Sequence, residues 1–162
     1  MKLHLAMNDV QDAETELAKQ LVTLADRHHA EPDVYHQSVE QARRCAERVS
    51  QLRSFADRYH ARTVDVAGAT NPGFLDTLRQ SVAAAVAHTP AAAVALVHDL
   101  RDSYITAHRT EIAWIILLQG AKAARDGELI NVVETCHEEA EQTWKWLRTR
   151  IKDSAAQALA TN

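Results

Sequence analysis

His108-Arg-Thr-Glu-Ile-Ala-Trp-Ile-Ile-Leu-Leu118 is the stretch that decides how this chain is read. It lies in the most apolar segment of the sequence, yet it carries a histidine and a glutamate three residues apart. On a helix that spacing sets both side chains on one face. The apolar stripe of the segment runs Val97, Leu100, Tyr104, Glu111, Ile115, Leu118, so His108 and Glu111 lie on or beside a buried seam. An ionisable pair placed there is hydrogen-bonded, ion-paired or metal-bound, because an unpaired buried charge costs too much.

The rest of the composition agrees with helices. The 162 residues include only 4 Gly and 3 Pro, and Ala, Leu, Glu, Gln and Arg are abundant, which favours long helices over many short strands. One domain spanning 1–162 is expected, long enough to bury a core. Charged residues make up 25% and the formal charge is −4, with basic residues interspersed among acidic ones. Nucleic-acid binding therefore has no support. No apolar run approaches the ~20 residues of a membrane span. The opening Met1-Lys2-Leu3-His4-Leu5 is too short and polar for a signal sequence. Cys45 and Cys136 have no CxxC spacing, so reduced thiols and a cytoplasmic setting are expected. Nine histidines are a weak pointer toward metal.

Outward from the central stretch, start and stop signals divide the chain. Asn8, with Gln11 three residues on, reads as the cap of a first helix over about 9–29. Its seam is Val10, Glu14, Leu17, Leu21, Leu24, His28. Glu14 interrupts that seam and is either a carboxylate near the bundle end paired with an arginine or an inward-facing ligand. Pro32 opens a second helix over about 32–62, with seam Tyr35, Ser38, Ala42, Cys45, Val49, Leu52, Ala56. Glu40, Arg43, Arg44, Glu47 and Arg48 read as its solvated flank, and Cys45 as a small core residue. Asn71-Pro72-Gly73 opens a shorter helix over about 72–88, and Thr89-Pro90 opens a long one over about 90–125. Asp126-Gly127 is a stop and turn. A last helix over about 128–158 has seam Ile130, Val133, His137, Ala140, Trp144, Leu147, Ile151, with Glu134 one turn before His137 and Glu141 one turn after. Trp114 and Trp144 read as core or interface anchors, and Trp146, off the seam, as an exposed patch for dimerisation.

Two helical hairpins joined by so long a crossover predict an up-down-down-up bundle, a feature of ferritin-like folds. The fold class expected is all-α: a ferritin-like four-helix bundle whose long crossover between the second and third long helices contains a short extra helix. The seams point Glu14, His108, Glu111, Glu134 and His137 inward. Di-iron bundles of that kind use one Glu from each of two helices and Glu-x-x-His from the other two. Glu134-Thr-Cys-His137 has that order, and His108-Arg-Thr-Glu111 has it reversed.

At these residues the chain resembles the bacterial YciE/YciF-like (DUF892) stress-associated proteins of the ferritin-like superfamily. Asp12-Ala13-Glu14 looks like their first-helix Asp-Ala-Glu. Glu40-Gln-Ala-Arg-Arg-Cys-Ala-Glu-Arg-Val49 is similar to their Glu-Gln-Thr-x-x-His-x-x-Arg-Leu. Glu111-Ile-Ala-Trp114 is similar to their Glu-Ile-Ala-x-Tyr, and His137-Glu-Glu-Ala140 fits their acidic fourth helix. Cys45 stands where the family has a histidine, Ala42 is no ligand, and His108 replaces an acidic residue. A full di-iron set is therefore incomplete. What the resemblance implies is an altered or vestigial metal centre in a homodimer, with a stress- or metal-related role.

Three functions stay open on the residues. The first is a mononuclear centre holding one Fe, Mn or Zn ion through Glu14, Glu111, His108 and His137. The second is a helical interaction or scaffold module with a protein partner and no ion, the same side chains bonding one another or meeting Arg101 or Arg109. The third, ranked last, is a small-molecule enzyme using His108 or His137 beside Glu111. No nucleophile–base spacing or phosphate loop supports it.

Overall fold

The computed structural model describes residues 2–64 and 90–160. Every regular element among them is a helix: α1 (Leu3–Arg27), α2 (Pro32–Gln51), α3 (Arg53–Tyr59), α4 (Pro90–Ala124) and α5 (Gly127–Ala160). The expected 72–88 helix and most of the crossover lie outside the described residues. No helix among the described residues is long and apolar enough to cross a membrane.

Contacts between helices fix their directions. Leu3 on α1 reaches Gly120 on α4, 3.4 Å from where a β-carbon would stand. At the other end His28 bonds Asp99 at 2.7 Å. These helices are therefore antiparallel. Gln41 meets Thr143 and Arg58 meets Glu128, so the α2–α3 column runs antiparallel to α5. Because α1 packs on α2 and α4, while α5 packs on α4 and α2, the columns stand as a square in up-down-down-up order. That order follows from the sequence reading.

The apolar seams close into two clusters. One joins Leu3, Met7 and Val10 to Leu52, Trp114, Leu117 and Val133; the other joins Leu17, Leu21 and Leu24 to Val34, Cys45, Leu100 and Leu147. On α1 the buried residues between them are Gln11 and Glu14. Trp146 is half-buried against the second cluster rather than set on an exposed patch.

Two boundaries differ from expectation. The first helix begins at Leu3, because Leu3 and Met7 are buried and draw the chain upstream into the core. Asn8 and Gln11 do not cap it. Asn8 Oδ1 accepts the Arg62 N–H at 2.9 Å, Gln11 donates to the Arg62 carbonyl at 2.9 Å, and Gln11 Oε1 accepts the Val64 N–H at 3.1 Å. One turn apart on α1, the two amides tie down the chain leaving α3.

The expected 32–62 helix is broken at Leu52, whose N–H bonds back to Val49 at 3.1 Å in a tightened turn. The stop of α3 is a six-to-one closure, Ala61 N–H to Ala56 carbonyl at 2.9 Å, with His60 left-handed at φ 57°. After α4 the left-handed residue is Arg125 at φ 55°, not Gly127. Asp126 is then placed to cap α5: its Oδ1 accepts the Leu129 N–H at 3.1 Å, and its Oδ2 accepts the Tyr59 hydroxyl at 2.7 Å and Arg58 at 2.9 Å. The Tyr59 hydroxyl and then the Leu129 N–H hold the Asp126 carboxyl below its ordinary range.

Candidate metal centre

The spacing His108/Glu111 puts two side chains on one side of α4, and the spacing His137/Glu141 puts two on one side of α5. Antiparallel packing brings these pairs together across the α4–α5 groove. His137 Nε2 lies 3.7 Å from Glu111 Oε1 and 3.9 Å from Glu141 Oε1. Both distances exceed a hydrogen bond, and His137 Nε2 is enclosed without a hydrogen-bond partner. The three ligand atoms lie within 4.8 Å of one another, a grouping that could hold a metal ion. Two ligands each at ~2.0–2.2 Å from one ion can stand at most ~4.4 Å apart, so both histidine–carboxylate distances fit around an ion.

The remaining oxygens are oriented from outside. Glu111 Oε2 meets His108 Nδ1 at 3.1 Å. Lys145 donates to Glu141 Oε2 at 2.7 Å, and that bond is the main cause holding the Glu141 carboxyl below its usual range. His108 is itself held by aromatics: it stacks on Trp144 at 4.6 Å between centroids and meets Tyr104 edge-on at 4.7 Å. Neighbours of this kind fix ligand orientation in metal sites.

The five residues nominated by the sequence do not come together at one point. His108, Glu111 and His137 share the groove. Glu134 is half-exposed and pairs with Lys122, further along α4, at 3.2 Å. The partner of His137 on α5 is Glu141, one turn after it rather than one turn before. Glu134 and Glu141 are seven residues apart and share one face of α5, so the choice is one of level along the helix: Glu141 stands opposite Glu111, and Glu134 stands opposite Lys122, nearer the turn between the helices. The signal was the His137-to-Glu141 spacing of four.

Glu14 is fully buried in the bundle, but as half of an ion pair. Arg48 Nε and Nη2 reach its two oxygens at 2.7 and 2.9 Å, and the Trp114 indole N–H donates at 2.6 Å. Arg48 is buried too, which corrects its reading as part of a solvated flank. Arg101, proposed as a core cation, instead pairs with Asp102 at 2.9 Å. A guanidinium seated on the carboxylate places positive charge where a core ion would have to be, so the residues around Glu14 do not fit a metal. Burial opposes the charge on Arg48, but the Glu14 carboxylate more than restores it.

The thiols are core residues. Both are free and buried. Burial, then the charge of Glu139, pushes Cys136 up to about 12. Burial, then Glu14, raises Cys45 as well.

No family model, curated protein or solved structure matches the chain.

Proposed function

We propose that this protein binds one divalent transition-metal ion in the α4–α5 groove, through Glu111, His137 and Glu141. The observation that carries this is the enclosed, unpartnered His137 Nε2 facing two carboxylate oxygens. One imidazole and two carboxylates suit Zn, Fe(II) or Mn, with a further position open to water. The ion would supply Lewis acidity at that position. His108 would orient Glu111, and Lys145 would orient Glu141.

A ferritin-like class with an altered centre remains part of the proposal. It is supported by the up-down-down-up order and by the residues shared with the YciE/YciF-like proteins. A cytoplasmic setting belongs to the same reading, in keeping with two buried free thiols. Uptake of Zn(II) or Mn(II), followed by elemental analysis, tests it. About one ion per chain is expected, falling as pH is lowered through about 6, because histidine must be neutral to ligate. Background metal, or an uptake curve flat from about pH 5 to 8, would overturn it.

The second reading is an interaction module without an ion. It is favoured by the structural use of Glu14 and by the isoleucines that α4 exposes. In that case His137→Ala changes stability or partner binding and leaves metal content at background.

A further inference from the structure

The helix α4 is apolar on two sides. Leu100, Ala107, Trp114 and Leu117 face the core, while Ile105, Ile112 and Ile116 are 52%, 54% and 55% exposed and Val94 is 42% exposed. At 100° per residue these four outer positions fall in a stripe ~40° wide and ~33 Å long. Exposed apolar patches of this kind mark interaction sites.

We infer that a second copy of this chain docks on this stripe, antiparallel, about a two-fold axis at Ile105. The order of residues along the stripe names the occupant. Reversal about Ile105 exchanges Val94 with Ile116, each eleven positions away and both apolar. A two-fold contact pairs residue i with j and j with i, so it needs a face that matches its own reverse. Charge agrees. Asp102 and Arg109 are exposed on the same edge of the stripe, three residues before and four after Ile105. In the antiparallel pair Asp102 of each copy, already partnered by its own Arg101 at 2.9 Å, stands beside Arg109 of the other. Two ion pairs then flank the central isoleucines. One helix face of this length is at the small end of the ~800 Å² per partner of a stable interface, so association depends on concentration.

This inference uses the outer face of α4 and is independent of the metal reading. Sedimentation of the full chain with chelator present, from micromolar to hundreds of micromolar, tests it. A monomer–dimer equilibrium is expected. Ile105→Glu should raise the dimer Kd by about 30-fold or more while helical circular dichroism is unchanged. Asp102→Arg and Arg109→Asp should each weaken the dimer, and the two together should restore it. A monomer at every concentration overturns the inference, including the case where other parts of the chain cover the stripe and Ile105→Glu lowers stability instead. A dimer insensitive to Ile105→Glu also overturns it.

Discussion

Arg48 holds Glu14 in a two-point grip, Nε to Oε1 at 2.7 Å and Nη2 to Oε2 at 2.9 Å, with both side chains fully buried. The pair lies between α1 and α2, and the Trp114 indole joins it from α4. Three helices are therefore registered by one carboxylate.

Removing one partner strands the other. Arg48→Met should destabilise the fold by about 3–5 kcal/mol, since it leaves a buried carboxylate uncompensated. The double change Arg48→Met with Glu14→Leu should recover most of that loss, because replacing a buried pair by apolar residues is often neutral. Urea unfolding of the four proteins in the cycle measures it. A double variant no more stable than Arg48→Met would show that the loss does not come from the stranded Glu14 carboxylate.

Asp126 should give the fold an acid limit at the α3–α5 end. Its folded-state pKa lies below the ordinary value, so the unfolded chain binds its proton first as pH falls. The stability it contributes is present above the ordinary Asp value of about 3.9 and is lost as pH falls from there through the lower folded value. Thermal melts should therefore show a drop in Tm below about pH 4 that is shallower in Asp126→Asn. Equal slopes in the two proteins would contradict this.

Neither thiol should react in the folded protein. Burial raises Cys45, and it raises Cys136 to about 12, so little thiolate forms near neutral pH. Ellman's reagent should report almost no thiol under native conditions and two per chain in denaturant. Rapid native labelling would mean that α2 or α5 opens readily.

The helices and their antiparallel order were legible because 3–4 spacing of apolar residues is strong over four long segments and Pro32, Pro90 and Gly127 punctuate them. The departures have local causes. Asn8 and Gln11 look like a capping box, yet their amides serve Arg62 and Val64, a contact between residues more than fifty apart. The break at Leu52 has no Gly or Pro to announce it. Arg48 reads as one charge among many, but it follows Cys45 by three on the seam, and a carboxylate on the facing seam of α1 calls for a cation. Glu134 and Glu141 are each about one turn from His137 on the same face of α5, and only the axial register of α5 against α4 selects between them.

The most direct test of the metal reading is calorimetric titration of the chelator-treated protein with Zn(II), run on wild type, Glu141→Gln, Glu134→Gln and Glu14→Gln. The groove site predicts one ion per chain in wild type and Glu134→Gln, loss in Glu141→Gln, and binding retained in whatever fraction of Glu14→Gln is folded. No binding to wild type, or a loss in Glu134→Gln with Glu141→Gln unaffected, would contradict it.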